Sequence, residues 1–415
     1  MAIRRLLMGL LISSSYAAAQ NPPPSLTTIY SFTSGTDGGN PDVPLIIGEG
    51  GVLYGATYWG GNKNYGAVFS LTAPVSPGGT WAEAVLYSFQ GGNDGFNPDT
   101  RLAMGSGGVL YGTTNGGGKY NYGTAFSLTP PASPGGPWTK AEIYPFFVAD
   151  GTYPDDMAIS PAGVLYGNTL DGGAWGCCGT VFAIVPPASP GGRWIESVLY
   201  TFPTQPDPLA GVYQPHVVIG KNLVLYGTIC LGGENNAGAV FSLSPPGPSG
   251  GAWTYTQLYS FGGYTDDGVG PYMGVVIGAD GVLYGSTAYG GSSNGGTIFS
   301  LTPPASPGGA WTEAVLHDFP LVSSHNAWPG PLALGEDGTL YGTTQFGGAS
   351  VVGTAYALKP PATPGGAWTE VLLHAFTGSD GSGPTGLALA GGGVLYGTTS
   401  LGGAYGAGTV FALTE

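Results

Sequence analysis

The sequence predicts an all-β fold: a seven-bladed β-propeller of four-stranded blades. Three observations carry that prediction. A Leu-Tyr-Gly motif recurs seven times, with its tyrosine at Tyr54, Tyr111, Tyr166, Tyr226, Tyr284, Tyr341 and Tyr396. The gaps of 57, 55, 60, 58, 57 and 55 residues have the length of a repeat that must stack on copies of itself to bury its apolar face. Within each repeat, four short runs rich in β-branched and aromatic residues alternate with Gly, Pro, Asn and Asp, the pattern of strands and turns. Finally, a Gly-Gly-x-Trp linker occurs only six times, before Trp81, Trp138, Trp194, Trp253, Trp311 and Trp368. The seventh repeat stops at its third run, and the segment SLTTIYSF at residues 25–32 matches the fourth run of the others (AVLYSF at 84–89, SVLYTF at 197–202). An N-terminal strand that completes the last blade closes a ring and removes an exposed sheet edge. A parallel solenoid, the alternative, has shorter coils and needs no closure.

Taken in order, the chain begins with MAIRRLLMGLLISSSYAAAQ: two arginines, a short apolar stretch at 6–12 and small residues up to Ala19. This reads as a secretory signal peptide over residues 1–19, followed by a linker at 20–24 and the propeller at 25–415. The expected location is therefore extracellular or periplasmic, and the expected state a soluble monomer without a membrane-spanning segment. In each repeat the first strand follows a proline (PLIIG at 44–48, LALG at 332–335), and the second is the Leu-Tyr-Gly run. The third is a run such as AVFSLT at 67–72, apolar on both faces as a strand between neighbouring sheets should be. The fourth starts at the linker tryptophan. The 79 glycines and 36 prolines sit at fixed phases between these runs, so they act as turn residues and not as the composition of a disordered chain.

Charge narrows the partners. Without the leader the chain carries 7 basic and 24 acidic side chains, a net charge of −17. That balance argues against nucleic acid and anionic membrane, which need Lys and Arg to neutralise phosphate, and it favours neutral or cationic ligands. Three cysteines in an oxidising compartment make a bridge from Cys230 to Cys177 or Cys178 plausible.

The long motif LYGTTxxGGxxxxGTVFxL followed by PPASPGGxW resembles the GloVer tandem repeat of exported bacterial proteins, over essentially the whole mature chain. The resemblance implies a surface or extracellular location and brings no reaction and no catalytic residues with it. A looser likeness to kelch repeats lies in the Gly-Gly doublet after the second strand and the Trp that opens the fourth.

Candidate chemistry lies in the loops that gather on one rim of the channel. The link into the first strand reads D-G-x-x-P-D, with Asp37 and Asp42, Asp94 and Asp99, Asp150 and Asp155, and Asp156 following. One reading is turn chemistry, in which Asp caps its turn and Pro opens the strand; repetition favours it, because a catalytic residue need appear only once. The other is a ring of carboxylates at the channel mouth. Asp42, Asp99 and Asp155, with His216, would then act as acid and base on a glycosidic bond. The same aspartates with Asp156 would suit calcium, a cation that prefers oxygen ligands. The fourth repeat breaks the pattern near His216, where the alignment slips. The second rim loop places aromatics among Gly, Asn and Thr, the surface on which sugar rings stack: Trp59, Tyr120, Tyr122 and Trp175 are the ligand-binding candidates, joined by His325 and Trp328 in an irregular loop. His317 and His374 replace the tyrosine of the fourth strand and read as structural. The leading expectation is a recognition propeller that binds polysaccharide or a surface protein through its rim. The alternative is a carbohydrate-active hydrolase or lyase, and a purely structural envelope role is the third reading.

Overall fold

The computed structural model describes residues 24–414 apart from 77, 134, 175–177, 190, 204–215, 263–265, 307, 322–325 and 364. Among the described residues, seven four-stranded antiparallel sheets follow one another along the chain, and a two-stranded ribbon joins Gly268–Val269 to Tyr289–Gly290. The first blade is representative, with strands Ile46–Ile47, Leu53–Thr57, Ala67–Thr72 and Ala82–Ser88. In the last blade, Ser382–Leu389, Val394–Leu401 and Thr409–Thr414 are completed by the N-terminal strand Ser25–Ser31. Ser25 pairs with Thr414 and Ser31 with Thr409, so the ring closes through the two ends of the chain. The propeller is confirmed in strand number, strand order and closure.

Five of the seven first strands are shorter than their apolar runs suggest, at two or three residues, while Thr152–Ile159 and Ser382–Leu389 run to eight. Ile46–Ile47 and Ala333–Leu334 keep two residues each of PLIIG and LALG. As innermost strands they pair on one side only, and the proline that opens each run has no N–H for a ladder. The third strands lie at the opposite extreme: Ala67–Thr72 buries its first five residues, sandwiched as expected between neighbouring blades.

Three aromatic contacts repeat around the ring, and they explain the motif. The phenylalanine ending each fourth strand packs edge-on against the third-strand aromatic of the next blade, as in Phe32–Phe69 at 5.0 Å, Phe89–Phe126 at 5.2 Å and Phe376–Phe411 at 5.1 Å between ring centres. Six of the seven Leu-Tyr-Gly tyrosines meet the linker tryptophan of the following blade, from Tyr54–Trp138 at 6.1 Å round to Trp81–Tyr396 at 5.6 Å; Tyr341 precedes the blade whose fourth strand comes from the N-terminus and carries no linker tryptophan. These tyrosines are mostly half-buried between blades; Tyr166 and Tyr341 are fully buried. The glycine of the motif leaves room for the interlocking: a Cβ on Gly55 would stand 2.6 Å from Phe69 and 2.8 Å from Leu45. Lastly, every fourth strand has a one-residue bulge just before its Tyr or His, at Leu86 in the first blade, where Val85 pairs with Phe69 and Tyr87 with Val68. The bulge turns the Tyr hydroxyl toward the link that follows.

Candidate functional site

The D-G-x-x-P-D link sends its two acids to different places. The first acid closes its own turn. Asp37 accepts from Tyr30 OH at 3.1 Å and from the Thr33 amide at 2.9 Å; Asp94 accepts from Tyr87 OH at 2.8 Å and the Gln90 amide at 2.8 Å. Asp150 is held by Tyr144 and the Phe147 amide, and Asp267 by Tyr259. In the sixth blade His374 takes the tyrosine's part and bonds Asp380 at 2.8 Å. Turn chemistry accounts for these residues, and His374 is structural as expected. His317 likewise faces Glu370 at 3.6 Å, between blades.

The second acid faces the channel. Asp42, Asp99 and Asp155 all line a cavity of about 500 Å³ at the channel mouth, together with Asp156, His216 and Arg101. The reason lies in the first strand. Each blade buries one apolar residue of that strand over the Leu-Tyr-Gly glycine: Met157 pairs with Gly167, Val275 with Gly285 and Leu387 with Gly397. The residue just before the buried one is turned inward. Around the ring these inward residues are Pro44, Arg101, Asp156, His216, Gly274, Pro331 and Gly386. Four of the seven are Pro or Gly, and they crowd together on one side. A Cβ on Gly386 would stand 2.9 Å from both Pro331 and Pro44, and one on Gly274 would stand 2.6 Å from the His216 Cβ. The other three, Arg101, Asp156 and His216, occupy consecutive blades and occur once each.

His216 Nδ1 lies 2.8 Å from Asp156 Oδ2, and the other Asp156 oxygen accepts from the Met157 amide at 2.9 Å. With both its oxygens engaged, Asp156 fixes the imidazole ring and leaves Nε2 directed away from the pair. Burial would push the His216 pKa down, but the bond to Asp156, the Asp156 charge and nearby Asp155 outweigh it and raise the value. Next to this pair stand carboxyls that hold on to their protons. Burial, then the charges of Asp155 and Asp42, push Asp99 up to about 8. Burial pushes Asp155 up to about 7 against the lowering effect of His216. Asp155 is anchored by its main chain, whose carbonyl accepts from Thr113 of the preceding blade, while its Oδ2 is buried without a hydrogen-bond partner among the described residues. Asp42, the most open of the three, is raised by desolvation among its neighbours. The opposite arc of the cavity is apolar or small, with Met273, Val275, Trp328, Pro331 and Leu332.

Among the aromatic candidates that lie in the described residues, only Trp328 reaches this cavity. It sits between Tyr272 and Tyr289, each 5.9 Å away, and has φ +51°, an uncommon conformation for a bulky residue. Trp59, 45% exposed, packs on Tyr58; Tyr120, 43% exposed, packs on Phe147; Tyr122 packs on Tyr153. All three lie on the rim outside the cavity lining. Trp175, His325 and Cys177 lie outside the described residues, while Cys178 and Cys230 are both buried. Among the described residues no group of three or more His, Cys, Asp or Glu side chains is placed to hold one metal ion, and no helix is long and apolar enough to cross a membrane. Reading the link by its acids missed Arg101 and the pairing of Asp156 with His216. Aligning the repeats on the buried residue of the first strand would have found both, since that alignment exposes a position that is Pro or Gly in four blades and ionisable in three.

Comparisons with known proteins agree on the fold. The profile of the Gloeobacter/Verrucomicrobia repeat matches residues 18–182 and 153–411. No curated protein matches the sequence. Among solved structures, a catalytically inactive histidine-to-alanine variant of virginiamycin B lyase from Staphylococcus aureus, bound to quinupristin, is 17% identical, with a TM-score of 0.55 over 94% of this chain and 99% of that one. PorZ, a surface component of the type-IX secretion system of Porphyromonas gingivalis, is 15% identical with a TM-score of 0.53; the match covers 90% of this chain and 46% of PorZ. The extracellular domain of a hybrid two-component system from B. thetaiotaomicron is 11% identical with a TM-score of 0.53, over 95% of this chain and 41% of that one.

Proposed function

The chain belongs to the Gloeobacter/Verrucomicrobia repeat family, and from the chemistry of its channel mouth we propose that it is an exported carbohydrate-active enzyme, a hydrolase or lyase that cleaves a polysaccharide by acid–base catalysis. One observation carries this reading. An oriented imidazole–carboxylate pair, His216 with Asp156 at 2.8 Å, shares a cavity with carboxyls held protonated near neutral pH. A base and an acid with pKa values close to the working pH are what proton transfer to and from a glycosidic bond requires. His216 takes the proton through Nε2 once its own proton has left, and Asp99, with a pKa of about 8, still has one to give. His216 and its partner Asp156 each occur once at the inward position, so repeat architecture does not account for the pair, whereas Asp99 shares its place in the link with Asp42 and Asp155.

The apolar arc supports a sugar as the substrate. Pyranose rings offer apolar faces and polar edges, and this cavity sets Trp328 and Met273 across from the ionisable arc. The rim aromatics Trp59 and Tyr120 keep the recognition role expected of them, as contacts for a chain that extends beyond the cavity. Virginiamycin B lyase, similar in fold, is inactive when a histidine is replaced by alanine, a precedent for one imidazole carrying the chemistry of a propeller. Secretion, from the leader, would place the enzyme outside the cytoplasm with its polymer. The aspartates also offer calcium its preferred oxygen ligands, so EDTA belongs in the assay.

The test is incubation with soluble and insoluble polysaccharides, with calcium or EDTA, scoring retained protein and released ends in the same tubes. Wild type should release new reducing or unsaturated ends, and His216→Ala should lower the rate about 10²- to 10⁴-fold while retaining its fold. Retention on a polymer without product would sink the enzyme reading and restore recognition as the function.

A further inference from the structure

We infer that the channel holds a subsite for a carboxylate on Arg101, and that the substrate is a uronic-acid polysaccharide cleaved by β-elimination. The inference rests on the acid–base reading of His216 and names its substrate class. Its basis is an isolated cation. The chain outside its leader has seven basic side chains, and among the described residues Arg101 is the only Lys or Arg in the cavity lining. It is exposed, and among the described residues no hydrogen bond or ion pair engages its guanidinium, although Asp42, Asp99, Asp155 and Asp156 line the same cavity. Lys140 shows the contrast, since it pairs with Asp94 at 2.9 Å. Arg101 acts electrostatically on His216, lowering its pKa, whereas the charges that act on Asp99 are Asp155, Asp42 and His216. Its charge is thus directed to the imidazole side of the cavity.

That placement has a chemical use. Removing a proton α to a carboxylate is slow because negative charge builds up beside an existing one; a guanidinium that binds the carboxylate through two parallel hydrogen bonds removes the obstacle. With the C6 carboxylate of a uronate on Arg101, C5–H falls on the side of His216 Nε2. His216 takes that proton, the C5–H electron pair becomes the C4=C5 double bond, and the C4–O bond breaks. The departing oxygen takes the proton of the Asp99 carboxyl. No water or oxidant is consumed, and solvent exchange returns the two protons to their starting sites. The products are a chain with a 4,5-unsaturated uronate at its end and a chain with a new reducing end. The acidic exterior, which by itself favours neutral ligands, lies outside this cavity. Within the cavity, burial keeps Asp99 and part of Asp155 protonated near neutral pH, which lessens the negative charge around Arg101.

The experiment compares wild type, Arg101→Gln, Arg101→Lys and His216→Ala on polygalacturonate, its methyl ester, alginate, a glucuronan, a neutral β-glucan and a sulfated glucan. Ultraviolet absorbance of the unsaturated ends and reducing-end release are followed together, and uronate oligosaccharide binding is measured by calorimetry. We expect unsaturated ends from a free polyuronate, a kcat/KM about 100-fold lower in Arg101→Gln, partial recovery in Arg101→Lys, and no product in His216→Ala. Cleavage of a neutral polymer that needs His216 but is unchanged in Arg101→Gln would overturn the inference and leave the proposed function standing. Uronate binding that is lost in Arg101→Gln, with no cleavage of any polymer, would keep the carboxylate subsite and overturn both the elimination and the enzyme reading. Arg101-dependent binding of the sulfated glucan alone, or no uronate binding or cleavage at all, would overturn it outright.

Discussion

Replacing Glu196 with Gln should stabilise the protein at neutral pH and leave it unchanged in mild acid. Glu196 belongs to the fourth strand of the third blade, Ile195–Thr201, and faces Asp150 across the interface with the second blade. Its Oε1 is buried with no hydrogen-bond partner among the described residues, and Asp150 already accepts from Tyr144 and the Phe147 amide. Burial, then the Asp150 charge, raise its pKa from the ordinary 4.5 to about 8. Between those values the folded chain keeps a proton that the unfolded chain has lost. Protonation therefore favours folding, and stability falls as pH rises through the window, levelling above about pH 8. One proton over that interval changes stability by about 1.4 kcal/mol per pH unit, so retaining the Glu196 proton that the unfolded chain releases costs about 3 kcal/mol by pH 7. Gln fills the same space and does not titrate. In a chain of this size the gain amounts to about 4 °C in Tm at pH 7, shrinking toward zero near pH 4.5. Thermal unfolding of wild type and Glu196→Gln from about pH 5 to about pH 8 measures it. A Tm difference that does not grow with pH would refute the reasoning. Glu83 and Glu313 occupy the same position in other blades, both raised to about 7 beside Asp37 and Asp267, so wild type itself should be more stable near pH 5 than near pH 8.

Other expectations follow from single contacts. Tyr356 takes the third-strand position that is Phe in the other six blades, and its hydroxyl is buried without a hydrogen-bond partner among the described residues; Tyr356→Phe should raise stability by about 1–3 kcal/mol, read as a higher denaturant midpoint at unchanged m-value. Deleting residues 25–31 should open the ring and expose the edge of strand Thr409–Thr414, giving a lower Tm and aggregation by size-exclusion chromatography; a truncated chain that stays monomeric with an unchanged Tm would contradict closure. Asp156→Asn should remove the charge that keeps the His216 pKa raised, shifting the acid limb of kcat/KM against pH to lower pH and slowing turnover about 10²-fold.

The candidate site was legible in part. Asp42, Asp99, Asp155 and His216 were visible as polar residues at strand entrances, and all four do line the channel mouth. Their partner acids Asp37, Asp94 and Asp150 look the same in sequence yet serve their own turns, because the fourth-strand bulge brings the tyrosine hydroxyls to them. Arg101 belongs to no motif of the repeat. Its place in the channel depends on a register that the D-G-x-x-P-D motif does not keep: buried Leu102 lies four positions after Pro98, but buried Met157 lies three after Pro154. One residue more or less exchanges the inward and outward faces of a strand, so aligning repeats by their acids assigns the inward position wrongly.

By itself the sequence determined the blades, their number and the closure of the ring. Those features rest on hydrophobic periodicity and on a count of strands, which are local and are repeated seven times over. The Leu-Tyr-Gly, Phe and Trp positions were legible for the same reason, since each copy makes the same contact with the next blade. Only the tertiary structure decided which side chains meet on the axis. The Asp156–His216 pair joins residues 60 positions apart, brought within 2.8 Å because consecutive blades bring equivalent positions together at the centre of the ring. Their protonation was decided there too. A carboxyl retains its proton at neutral pH through burial and the charges of neighbouring blades, and neither is written in the residue or in its repeat.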